Sequence, residues 1–416
     1  MSTMAHGTEH HRFRRMTGRD PEEPHRSATP LELLFDLTLV VAFSQAGAQM
    51  AHLLELGHYG PAIGAFGFSV FAICWAWINY SWQASAFDND DVFFRVATMV
   101  QMLGVLILAL GLPQMFLSID EGAHVDNSVV VAGYVVMRVA AIALWLRVAR
   151  HDPEQRRNAL TYAFLMGLAQ VGWVVQIFTN PPLEVTAAVV VALGLFEILI
   201  PIVAERRGGR SPWHPHHIAE RYGLLVIITL GEIVLGTILA VSAVIEEQGW
   251  SEEAVLVAFG GTALAFGLWW VYFLMPSAEV LAQHRERGFV WGYGHLIIFG
   301  SLVASGAGLH VAATVIEHVA HISATAAILT LIVPVAIFMT ALFTLYSILL
   351  RDLDPFHVVL FVGAMLALAA SAVAVAAGAT VGMGIAIAAC SPLVVIVGYE
   401  TIGHRRQAAT LERILE

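Results

Sequence analysis

The sequence predicts an all-α integral membrane protein of about twelve transmembrane helices, and three observations predict it. Of 416 residues, 58% are hydrophobic and only 13% charged, too few charges to clothe a soluble globule of this size. Apolar stretches of about 20 residues recur, separated by short polar segments. Arginines also fall in alternate loops. These features exclude a soluble enzyme, a secreted disulfide scaffold and a disordered regulator.

The spans lie at about 31–54, 61–84, 92–117, 129–149, 158–178, 184–204, 218–245, 253–275, 289–316, 324–349, 357–378 and 381–400. Residues 1–28 read as a polar cytoplasmic tail. Five arginines (Arg12, Arg14, Arg15, Arg19 and Arg26) stand among its residues, with no apolar core, so the first span reads as an uncleaved anchor rather than a signal peptide. Placing the N-terminus in the cytoplasm puts Arg147, Arg150, Arg156 and Arg157 in inner loops. Arg206, Arg207, Arg210, Arg285, Arg287, Arg351, Arg405, Arg406 and Arg413 follow on the same side. The opposite loops hold acids: Asp120, Glu121, Asp126, Glu246, Glu247, Glu252 and Glu253. This is the positive-inside pattern, and it predicts that both termini are cytoplasmic. The acidic inner segment Asp88-Asn89-Asp90-Asp91 does not oppose it, because acids contribute little to orientation.

The two cysteines, Cys74 and Cys390, both lie in apolar runs, which argues against a disulfide framework or a cysteine metal site. All 21 basic residues are arginine, with no sustained basic face for nucleic acid. No cofactor or metal motif is complete. The histidines cluster twice, as His214-Pro215-His216-His217 and as His310 with Glu317, His318 and His321. The second has helical spacing for metal ligands but reads better as a solvated loop.

The first and seventh spans resemble each other. Glu32-Leu33-Leu34-Phe35-Asp36-Leu37, running on to Ser44-Gln45, matches Glu220-Arg221-Tyr222-Gly223-Leu224-Leu225, running on to Gly231-Glu232. The next spans end in Trp77-Ile78-Asn79-Tyr80 and Trp269-Trp270-Val271-Tyr272. Two parallel six-helix repeats, residues 29–204 and 218–402, would follow, joined by a basic linker at 205–217 and ending in a tail at 403–416. Similar composition of apolar helices is the other explanation.

A charge at the bilayer centre costs at least about 2.5–3.5 kcal/mol, so each needs a partner or a wet cavity. Asp36, Arg138, Glu197, Glu232 and His295 are placed at such depth. Glu32 belongs to Thr29-Pro30-Leu31-Glu32, a capping box with proline at the first helical position, which accounts for it without function. Gln45, Gln49 and His52 form a polar stripe, half a turn off the face of Asp36. Arg138 reads as an ion-pair partner of Glu197 or Glu232, or as a pathway residue. Glu232 lies between Gly231 and Gly236, where small neighbours admit a close helix or a small solute. The aromatics Trp75, Trp77, Tyr80 and Trp82, with Trp269, Trp270 and Tyr272, read as an interfacial belt, or, for Trp77, Tyr80, Trp269 and Tyr272, as the lining of a vestibule. Pro113, Pro334 and Pro392 interrupt apolar helices.

Several stretches together resemble the bacterial low temperature requirement A family. They are Thr29–Leu37, Glu220-Arg221-Tyr222-Gly223 with Leu230-Gly231-Glu232, the Trp269–Tyr272 aromatics, and Trp291-Gly292-Tyr293-Gly294-His295. The resemblance covers about residues 26–400 and implies a polytopic bacterial inner-membrane protein linked by name to growth in the cold. Tyr222 departs from the phenylalanine more usual there. The family brings no settled activity, so function is read from the residues. The leading expectation is a secondary transporter or proton-coupled permease for an unknown small solute or ion. Asp36 and Glu232 would be its proton-titrating or cation-coordinating groups, Arg138 a charge partner or anion contact and His295 a relay or hydrogen-bond donor, with Glu197, Glu32 and Gln45 on the same pathway. The alternatives are a membrane enzyme acting on a lipid-linked substrate, or a non-catalytic membrane protein supporting growth in the cold.

Overall fold

A computed structural model describes residues 13–24, 26–352 and 354–415. Among them there is no strand, and twelve helical segments are long and apolar enough to cross a membrane. Large apolar side chains such as Leu110, Phe164, Phe178 and Val373 stay exposed on these helices, which suits hydrocarbon rather than water. The protein is therefore a multi-pass membrane protein.

The chain divides into two compact units. Among the described residues the first comprises 13–24, 26–42 and 71–218, the second 43–70, 219–352 and 354–415. Two helices, α1 (Pro30–Glu55) and α2 (Tyr59–Phe87), contribute to both. The capping box forms: the Thr29 N–H donates to Glu32 at 2.8 Å and the Glu32 N–H to the Thr29 hydroxyl at 3.3 Å. Gly57, with φ 82°, then ends α1 in a left-handed turn that a side chain would strain.

In the first unit α3 (Val92–Glu121), α4 (Ser128–His151), α5 (Arg156–Thr179) and α6 (Leu183–Gly208) pack in sequence. Glycine sets the α3–α4 contact. A Cβ at Gly104 would lie 2.6 Å from the Gly133 carbonyl, so only hydrogen fits. Without a hydrophobic driving force in lipid, such close backbone approach is how helices gain packing. Residues 13–24 and 26–28, expected as a tail, pack instead on this unit, with Met16 fully buried. Arg12 and the rest of 1–12 lie outside the described residues.

In the second unit α7 (Pro215–Gln248) enters from residue 219 onward and meets α10 (Gly288–Ile316) through Gly236 and Gly306. Between them in sequence come α8 (Glu252–Phe273) and the short α9 (Ser277–Gln283). The most buried helix is α10; α11 (Ala324–Leu350) packs along it, and Gly308 faces Thr330 and Leu331. Residues 43–70 join this unit because Gly47 seats against Val303 and Gly300 against Val70. After α12 (Pro355–Ala376), the last span is broken into α13 (Val381–Ala388), α14 (Cys390–Gly398) and α15 (His404–Leu415). Pro392 offers no N–H to the Ala388 carbonyl, and the helix breaks there. Pro113 and Pro334 sit inside helices that continue.

Candidate functional site

Intramembrane charge in the first unit centres on Glu197. Its Oε2 accepts from the Arg138 guanidinium at 2.5 Å and from the Trp75 indole at 3.1 Å. Its Oε1 accepts from Gln170 and the Trp173 indole, each at 3.2 Å. Arg138 also donates to the Tyr134 hydroxyl and lies 4.7 Å from that ring's centroid. Both charged side chains are 1% exposed. Of the two partners open to Arg138, Glu197 is therefore the one taken. One carboxylate ties together α2, α4, α5 and α6, and with four donors it has little capacity left for a solute or proton.

Asp36, one turn past Glu32, is fully buried and accepts from the Trp77 indole at 2.7 Å. Tyr80 packs its ring 4.1 Å from that of Phe35. Trp75, Trp77 and Tyr80 are interior residues rather than a belt, because an indole N–H in an apolar helix needs an acceptor and finds one in a buried carboxylate. Glu32 adds a contact to its capping role: His217 Nε2 lies 3.2 Å from Oε1. His214 and His217 are buried. The His214 Nε2–H donates to the Glu23 carbonyl at 2.9 Å.

Glu232, in the second unit, is half-buried and accepts from the Ser44 hydroxyl. Among the described residues no cation pairs with it. Gly47 lies beside its carboxylate, and a Cβ at Gly306 would come within 2.6 Å of its backbone carbonyl. On the other side a Cβ at Gly231 would meet open space. Gln45, next to Ser44, is half-buried.

His295 is fully buried in the same unit. Its Nδ1 lies 2.8 Å from the Trp291 carbonyl, which can only accept, so Nδ1 carries the hydrogen. Nε2 is then free to accept from the Tyr272 hydroxyl at 3.0 Å. Tyr222 meets the imidazole edge-on at 4.8 Å, with Trp291 and Phe299 completing an aromatic shell. Trp269 and Trp270 are exposed, whereas Tyr272 is buried. The aromatics proposed for one vestibule thus belong to different units and environments: Trp77 and Tyr80 to the first, Trp269 and Tyr272 to the second.

The second unit also holds a cavity of about 450 Å³ between the end of α1, the start of α2, α10 and α11. Its walls are apolar (Met50, Phe66, Leu296, Val333) apart from Tyr59 and two hydroxyls. Those hydroxyls, of Ser301 and Thr330, donate to carbonyls of their own helices.

Residues 27–395 match the family described as bacterial low temperature requirement A protein. The chain belongs to that family. Within it, the low temperature requirement A motifs noted above supply Glu32, Asp36, Tyr222, Glu232, Tyr272 and His295, all structurally engaged residues. A curated protein from Rhizobium meliloti (strain 1021), named uncharacterized protein RA0937, is 24% identical over 67% of each chain. No solved structure matches. Outside these motifs, sequence reading missed Gln170, Trp173 and Tyr134 as partners of the Arg138–Glu197 pair. Polar residues recurring inside α5 were the available signal. Arg221, noted only as part of a motif, is fully buried in α7.

Proposed function

We propose that this low temperature requirement A protein is a proton-coupled secondary transporter of a small solute, with both termini in the cytoplasm of a bacterial inner membrane. The observation that carries the reading is Glu232: an intramembrane carboxylate held by one serine hydroxyl, next to Gly231, where an added Cβ would meet open space. A carboxylate so weakly neutralised can gain and lose a proton, whereas Glu197, ringed by four donors, serves structure. Asp36, on the Trp77 indole, is the second coupling group. Arg138 then acts as the counterion of Glu197 rather than as a pathway residue. His295 positions Tyr272 and has no spare ring nitrogen for a relay.

Solid-supported-membrane electrophysiology on proteoliposomes, with jumps of pH, sodium and solute panels, tests this. The expected result is a transient current in the wild type that Glu232→Gln abolishes and Asp36→Asn strongly reduces. Undiminished current in Glu232→Gln would overturn the assignment. A second reading, an enzyme acting on a lipid-linked substrate, draws support from the apolar cavity, which has the size and lining of a site for an acyl chain. It requires an altered lipidome in a deletion strain grown in the cold.

A further inference from the structure

The segment before α1 crosses the end of the first unit where α2 turns into α3, and its attachments are regular. The Arg14 N–H donates to Asp91 at 2.9 Å, Met16 to His151 at 3.1 Å, Gly18 to Asp152 at 2.8 Å and Arg19 to the Ala86 carbonyl at 2.9 Å. A Cβ at Gly18 would lie 2.9 Å from Pro212, so the segment is pressed against the chain entering α7. Farther along, the Arg26 guanidinium donates to the Ala84 carbonyl at 3.3 Å and is buried.

Two carboxylates of the α2–α3 turn lie under this segment and are treated differently. Asp91 accepts two bonds from Arg147, the N–H of Phe94 and the N–H of Arg14. Burial alone would raise its pKa, but these donors outweigh burial and hold it down at about 2. Asp88 is also buried, yet among the described residues its carboxylate has only the Asp90 N–H at 2.7 Å and Arg26 at a distant 3.7 Å. Burial, reinforced by repulsion from Glu32, pushes Asp88 up to about 6.

The other charges around Asp88 do not cancel that imbalance. On the segment, Arg19 donates to the Asp88 backbone carbonyl, while its guanidinium and that of Arg26 also face Glu23, at 2.8 and 3.8 Å. On α1, Glu32 is engaged by His217. In the turn, Asp90 adds negative charge, though Arg95 pairs with it at 2.7 Å. His214 touches the segment only through the Glu23 carbonyl.

We propose that residues 13–24 and 26–28 are a proton-responsive strap: protonation of Asp88 tightens them over this end of the first unit, and ionisation of Asp88 loosens them. With the strap lifted, Asp88 meets water and returns toward its ordinary value of 3.8, so the closed state binds the proton more tightly. Closure is fully favoured below that value and is lost as pH rises through about 6. A shift of about two units changes the opening equilibrium by up to about a hundredfold.

Hydrogen–deuterium exchange of the full chain in lipid nanodiscs, corrected for intrinsic rates, reads this at the Gly18 and Arg19 amides. Met16 is left out because its acceptor, His151, itself gains a proton in acid. Protection should fall by about tenfold between about pH 5 and about pH 8, the rest of the change lying below about pH 5. Asp88→Asn should be flat at the acid level. Arg26→Gln, which removes the cation opposing the rise, should move the midpoint to higher pH. Wild-type protection that is flat or grows with pH overturns the proposal, as does a full pH response in Asp88→Asn. The readout involves no transport, so its failure is separate from that of the function proposed above.

Discussion

Replacing Glu197 should cost more stability than replacing Arg138, although the two form one ion pair. Arg138→Met leaves the carboxylate with three N–H donors, from Trp75, Trp173 and Gln170. Each charge-assisted bond offsets about 1.5–3 kcal/mol of burial. Glu197→Gln instead leaves a buried guanidinium with the Tyr134 hydroxyl, and its Nε already lacks a hydrogen-bond partner. Breaking a buried pair costs about 3–5 kcal/mol; Glu197→Gln should sit at the top of that range and Arg138→Met at the bottom. The double variant removes both charges and keeps an amide oxygen for the indoles, so it should recover about 2 kcal/mol relative to Glu197→Gln alone. Unfolding in mixed micelles followed by tryptophan fluorescence is a suitable assay, since Trp75 and Trp173 touch the carboxylate. Equal costs, or Arg138→Met the more damaging, would refute the donor count as the source of stability.

Other consequences are open to measurement. Gly306→Ala places a methyl 2.6 Å from the Glu232 carbonyl, so it should separate α7 from α10, cost about 1–3 kcal/mol in unfolding assays and impair Glu232-dependent current. Thr29→Ala should cost about 1 kcal/mol by removing the cap of α1, visible as a lower melting temperature. The two turn carboxylates predict opposite pH limbs for the first unit's stability. Asp91, depressed to about 2, contributes above its ordinary 3.8 and loses that contribution as pH falls through about 2. Asp88, raised to about 6, contributes fully below 3.8 and loses that contribution as pH rises through about 6. Melting temperature against pH should therefore decline between about 4 and about 6 and level off above, and Asp88→Asn should remove that decline.

The span pattern, the capping box at Thr29–Glu32 and the family were legible in the sequence, because each rests on local information. Hydropathy over one helix length decides whether a segment can span a bilayer, and a cap involves residues three apart. Buried charge was legible as a cost: Asp36, Arg138, Glu197 and Glu232 each demanded a partner. Which partner each obtained was decided by tertiary packing alone. Arg138 was compatible with Glu197 or Glu232, and only the packing of the first unit, which brings the Arg138 guanidinium to Glu197, chose the first. The same packing aimed the indoles of Trp75 and Trp77 at carboxylates, where sequence position suggested an interfacial belt. It also turned a polar N-terminal segment into a strap, since its bonds run from backbone N–H groups to residues more than seventy positions away. Hydropathy is a property of a single helix, but neutralising a charge is a property of neighbours, and neighbours exist only once the helices are packed.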